Sequence, residues 1–99
     1  MIHTIPQEKQ EQIIRVIGVL FPNAKIYLFG SRAKKTNTEW SDIDIAIDAG
    51  EPIDFGKKCK TLNMLDALNI PQKIDFVDLH KAPEALKANI LRDGVLWKN

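Results

Sequence analysis

The sequence predicts a small α/β (α+β) domain in which a mixed β-sheet of about three strands packs with helices. Three observations predict it. Short β-rich apolar runs alternate with helical stripes, one run places an acid at nearly every second position, and the 99 residues, 44% of them hydrophobic, suffice for one core. Residues 1–99 therefore read as one domain, with little chain left for a separate substrate-binding lobe.

Thr4 and Gln7 stand at capping-box spacing, Pro6 suits a first helical turn, and Ile13, Ile14, Ile17, Leu20 and Phe21 recur with a helical period. The spacing predicts a helix from about Ile5 to Phe21. Pro22 and Asn23 break it, and Lys25-Ile26-Tyr27-Leu28-Phe29 is a short strand ending at Gly30. The polar stretch from Ser31 to Ser41 reads as a helical turn and a loop. From Ser41 to Asp48, isoleucines alternate with Asp42, Asp44, Ala46 and Asp48, the period of a strand with one apolar and one largely acidic face. Gly50 and Pro52 end it. Asp54 can cap a helix whose stripe is Phe55, Cys59, Leu62, Leu65 and Leu68, closed by Pro71. Lys73 to Leu79 is a third strand, and Pro83 starts a last helix with Leu86, Ile90 and Leu91 inward and Gly94 as its stop. Val95-Leu96-Trp97 is expected as a short extended tail.

Lysine and arginine number 14 against 13 acids, so no bulk field favours nucleic acid or membrane, and direct nucleic-acid binding is not expected. A single cysteine, Cys59, forms no internal disulfide and fits a reducing cytoplasm. No run approaches the roughly 18 apolar residues of a membrane span, and the opening MIHTIPQEKQ lacks a leader pattern. A cytoplasmic, soluble protein is the expectation.

Asp42 and Asp44, at i and i+2 of a strand, have Cα atoms roughly 6.5 to 7 Å apart, near enough to share hard divalent cations. Like charges so placed disfavour ionisation unless a cation compensates them. Asp75 adds a third acid from the later strand. Gly30 and Ser31 follow a strand at a turn, where a residue without Cβ lets backbone amides approach a phosphate, and Arg32, Lys34 and Lys35 come just after. Asp42 and Asp44 also admit a plainer reading, a solvated acidic face neutralised by Lys25, Lys34 or Lys73. Arg32 either binds phosphate or shapes the loop through a neighbouring acid. Trp40 either stacks on a base or partner or anchors the loop. Asp78 competes with Asp75 as the third acid, Asp48 reads as surface or strand end, and His3 and His80 lack companions at ligand spacing.

Phe29-Gly30-Ser31, the ten residues Arg32 to Ser41, then Asp42-Ile43-Asp44, with Asp75 later, form a pattern that resembles the DNA polymerase β-like nucleotidyltransferase superfamily. More narrowly, the run FGSRAKKTNTEWSDIDIAID and the chain length resemble the minimal nucleotidyltransferases of prokaryotes. The resemblance implies the polymerase β-like fold and a two-metal transfer of a nucleoside monophosphate. Asp42 and Asp44 would hold both Mg²⁺ ions, Asp75 would complete the site for the ion that activates the acceptor hydroxyl, and Gly30 and Ser31, with Arg32, would bind the triphosphate of ATP. It also implies a partner, since many such proteins are antitoxins of helical HEPN-type ribonuclease toxins and some transfer AMP to a toxin tyrosine. Homo- and hetero-oligomers both accord with it. One departure stands out: many relatives carry glycine four residues after the motif serine, where this chain has Lys35. A second reading is a non-catalytic antitoxin that neutralises its toxin by complex formation. A third, an aminoglycoside-modifying enzyme, suffers from the missing acceptor domain.

Overall fold

A computed structural model describes residues 5–99. His3 and the Thr4 half of the expected capping box lie outside the described residues. The elements run α1 (Gln7–Leu20), β1 (Lys25–Phe29), α2 (Gly30–Lys34), β2 (Ile43–Asp48), α3 (Phe55–Asp66), β3 (Ile74–Asp78), α4 (Glu84–Asp93) and β4 (Val95–Lys98). Among the described residues no helix is long and apolar enough to cross a membrane.

The four strands form one mixed sheet in the order β3-β2-β1-β4. β2 pairs antiparallel with β1 and parallel with β3, the latter made possible by the α3 crossover. The expected count of about three strands thus becomes four. The expected extended tail goes further than expected: Val95 to Lys98 is an edge strand antiparallel to β1, with Leu96 opposite Tyr27 and Val95 opposite Leu28. Without it the outer backbone edge of β1 would be unpaired.

Alternation along β2 divides the sheet's two faces. Ile43, Ile45 and Ile47 are buried with Ile26, Leu28 and Phe76 under Ile13 and Ile17 of α1 and Leu65 of α3. Each such isoleucine contributes about 1.5–3 kcal/mol by leaving water. The other face carries Ala46, Tyr27, Phe29 and Val77, covered by Leu86 and Ile90 of α4. Two expected inward stripes are corrected. In α3, Leu65 and Thr61 are buried while Phe55 and Leu62 are exposed, and in α4, Leu91 is exposed. In both helices only a narrow strip touches the sheet, so apolar residues at its margins stay outside.

Candidate active site

The β2–β3 register sets Asp44 beside Asp75, and the β1–β2 register sets Phe29 opposite Asp44. Neighbours in register share a face, so both acids lie on the α4 side of the sheet, at the end where β1 runs into α2. Asp42 lies one residue before β2, on the same side by alternation. One carboxylate oxygen from each of Asp42, Asp44 and Asp75 lies within 4.8 Å of the others. Oxygens on opposite sides of one Mg²⁺ stand about 4.2 Å apart. The set therefore fits one ion after small rotations, or two ions sharing carboxylates.

Electrostatics points the same way. Burial, then the facing Asp75 carboxylate and its hydrogen bond, then Asp42, push the Asp44 carboxyl up to about 6, and Arg32 only partly offsets them. A divalent cation is the partner that would remove this repulsion. Lys73, one of the lysines weighed as a neutraliser, reaches Asp75 at 3.5 Å, but both side chains are well exposed, where such a pair is worth little.

Gly30 closes the site on the β1 side. Its φ is +74°, and a Cβ built there would collide with Asp44 Oδ2. Conformation and space both demand glycine. Ser31 follows in the first turn of α2, and Lys35 ends that helix with φ 60° and ψ 31°. That is the left-handed conformation a glycine adopts freely, so Lys35, at the position where the resemblance leads one to expect glycine, takes a glycine-like backbone conformation.

Arg32 shows what the sequence left open. It is buried, and its Nε donates to the carbonyls of Ser41 (3.2 Å) and Asp42 (3.3 Å). Its Nη2 donates to Glu39 (3.1 Å) and Ser41 (2.9 Å). The partners expected for a loop-shaping arginine were acids, but they are backbone carbonyls, to which five rigid donors are well matched. The guanidinium thus fixes the backbone that delivers Asp42. Gln72 Nε2 donates to the Glu39 carbonyl at 2.9 Å, and Ser41 Oγ accepts from the Thr38 amide at 2.9 Å. Trp40, in this tied-down loop, is exposed.

Asp78 and Asp48 lie at the far ends of their strands. Asp78 is buried, with Oδ2 accepting from the Ile53 amide (2.8 Å) and Oδ1 from the His80 amide (3.0 Å). Asp48 Oδ1 meets His80 Nε2 at 2.7 Å and accepts from the Gly50 amide at 3.0 Å, which, with His80, holds its carboxyl below the usual range. Sequence reasoning left His80 without a companion because its partner is 32 residues away.

The polymerase beta nucleotidyltransferase family model matches residues 11–98. The chain is 32% identical over 93 residues to the protein adenylyltransferase MntA of Shewanella oneidensis, covering 92% of this chain and 66% of that one. It is 28% identical over 74 residues to the probable protein adenylyltransferase MntA of Haemophilus influenzae, covering 75% and 65%. It thus spans just under two thirds of the length of these curated relatives. Among solved structures, a toxin–antitoxin with AMP-PNP shares 31% identity at a TM-score of 0.75, over 89% of this chain and 71% of that one. A complex of tri-AMPylated Shewanella oneidensis HEPN toxin with MNT antitoxin shares 28% at 0.71, over 92% and 70%. With its motif residues assembled on the expected fold and the match running from α1 to β4, the chain belongs to the polymerase beta nucleotidyltransferase family.

Proposed function

We propose that this chain, with residues 1–99 acting as one nucleotidyltransferase domain, moves AMP from ATP onto a hydroxyl of a helical HEPN-type partner in the cytoplasm, and that it is the antitoxin of that pair. The convergence of Asp42, Asp44 and Asp75 beside Gly30 carries the reading. Two relatives named as protein adenylyltransferases and a solved relative bound to an AMPylated toxin support it.

In the proposed reaction the acceptor oxygen bonds to the α-phosphorus, the bond from that phosphorus to the bridging oxygen breaks, pyrophosphate leaves, and the hydroxyl proton passes to solvent. Asp42 and Asp44 would hold two Mg²⁺ ions and Asp75 one of them. When bound, such ions lower the acceptor's pKa and neutralise the leaving pyrophosphate. Gly30 and Ser31 would receive the β- and γ-phosphates through backbone amides and a hydroxyl. Arg32 would act one step removed, by fixing the carbonyls on either side of Asp42.

The test is to incubate the purified protein with its partner, Mg²⁺ and ATP labelled at the α-phosphate. Label should appear on the partner and fall by at least about a hundredfold with Asp42→Asn plus Asp44→Asn. No labelled product from the unaltered protein refutes catalysis. If the double variant still suppresses the partner's toxicity, complex formation rather than AMP transfer neutralises it.

A further inference from the structure

Among the described residues the sheet has two outer strands, and only one of them carries a residue of the acid cluster. β3 bears Asp75, whereas β4 is separated from it by β2 and β1 and so lies about 14 Å away at about 4.8 Å per strand. The pairing of β3 shows which of its backbone groups are free. The Lys73 carbonyl accepts from the Ile43 amide at 2.8 Å, and the Leu79 amide donates to the Ile47 carbonyl at 3.0 Å. Lys73 and Leu79 thus turn toward β2. In a parallel ladder alternate residues do so, which turns the N–H and C=O of Ile74 and Phe76 outward. Among the described residues nothing pairs with those outward groups.

Register decides what a strand added to this edge would present. A residue opposite Asp75 shares its face, on which Asp42 and Asp44 converge, with Cβ atoms about 5 Å apart. A residue opposite Ile74 points to the other face. There a cavity of about 430 Å³ has Ile74 as one wall, and Leu62, Leu65, Ile70 and Pro71 add apolar surface. Its polar lining is Asn63, Gln72, Asp66 and Lys73, one acid against one base, so the cavity favours an uncharged apolar side chain. It is also continuous with the acid end of the sheet. Lys73 reaches Asp75 at 3.5 Å, and Gln72 Nε2 donates at 2.9 Å to the Glu39 carbonyl in the loop that delivers Asp42. We infer that the acceptor protein adds an extended segment to the outer edge of β3, with its hydroxyl residue opposite Asp75 and an adjacent apolar residue in the cavity beside Ile74. The inference rests on the AMP transfer to a protein hydroxyl proposed above. Main-chain hydrogen bonds to Ile74 and Phe76 hold the segment, and the cavity selects its sequence. A helix spends its backbone groups internally, so the segment is a loop or terminus of the acceptor even where the rest of that protein is helical.

The experiment uses the full chain with its HEPN-type partner as acceptor. Ile74→Pro removes the outward N–H at the first residue of β3, where proline is tolerated, and leaves the ladder to β2 in place. It should raise KM for the partner by about tenfold or more while kcat, and binding of α,β-methylene ATP with Mg²⁺, stay within about twofold. An unchanged KM overturns the inference. Should the variant misfold or lose the nucleotide, amide exchange of the unaltered protein, read by NMR, decides. With the partner and α,β-methylene ATP bound, the Ile74 and Phe76 amides should exchange at least about tenfold more slowly than in the free chain. Unchanged exchange overturns the inference, and so does protection that appears without the partner and grows with protein concentration, which assigns the edge to a second copy of this chain. Protected amides with no AMP transferred strike the proposed reaction and leave the docking edge standing. AMP transferred while both amides exchange freely strikes the edge alone.

Discussion

The parallel pair β2 and β3 carries acids at both ends, and the two ends treat them oppositely. At one end Asp44 faces Asp75 and Asp42, and its carboxyl is pushed up to about 6. At the other, Asp78 and Asp48 accept amides from Ile53, His80 and Gly50, and Asp48 is held down. Residue type is the same, strand is the same, and the difference is whether the fold supplies donors. Where it does, the carboxylate is part of the scaffold. Where acids have mainly each other, the missing partner comes from outside, and a divalent cation is the simplest candidate.

Removing an acid from each end separates the two roles most sharply. Asp44→Asn should lower the proposed AMP transfer by at least about a hundredfold while leaving thermal stability equal or higher, because a repulsion is relieved. Asp78→Ala should do the reverse. It strands the buried Ile53 amide and costs about 1–3 kcal/mol, read as a lower urea midpoint, with activity per folded molecule retained. If Asp78→Ala abolished activity in a folded protein, the division between the ends would be wrong.

The loop that delivers Asp42 comes next. Arg32→Lys keeps the charge but loses the fork that reaches Glu39, Ser41 and Asp42 at once. It should cost about 1–3 kcal/mol. Mg²⁺ affinity, measured by calorimetry, should fall as well, since Asp42 loses its fixed position. Unchanged metal binding would mean that this backbone holds without the guanidinium.

pH should move the two ends in opposite senses. For metal-free protein, Asp44 binds its proton more tightly folded than unfolded, so its contribution is complete below about 4 and is lost as pH rises through about 6. Asp48, held low, contributes above its unfolded pKa, and that contribution fades as pH falls through the folded value. Difference curves of urea midpoint against pH for Asp44→Asn and Asp48→Asn should therefore slope oppositely. Mg²⁺ should flatten the Asp44 curve by replacing the proton.

These contrasts also mark what the sequence could reveal. Period-two alternation around Ile43, Ile45 and Ile47 is a local signal, and it is enough to put Asp42 and Asp44 on one face. Asp75 follows from the same alternation together with the motif. Nothing local could disclose that Asp48 meets His80, that Arg32 bonds to carbonyls, or that Asp78 holds the approach to α3 through Ile53. Those contacts join residues 7 to 32 positions apart and depend on how strands and loops meet. β4 is legible only in part for a related reason: its residues read as an extended tail, but they have no clear period, and their place in the sheet comes from the open edge of β1.

The smallest expected effect concerns Lys35, whose left-handed backbone costs on the order of 1–2 kcal/mol for a residue with a Cβ. Glycine would relieve that strain but adds about 0.4–1 kcal/mol of unfolded-chain entropy. Strain outweighs entropy here, so Lys35→Gly should stabilise by about 0.5 kcal/mol, while Lys35→Val, with a branched Cβ in the same conformation, should destabilise by about 1 kcal/mol. Urea midpoints read both. If glycine also leaves ATP affinity unchanged, the lysine side chain has no part in holding phosphate and only the backbone turn matters. A loss of affinity despite the gain in stability would place its ammonium beside Gly30 and Ser31 as a charge that the acid end recruits from its own helix cap.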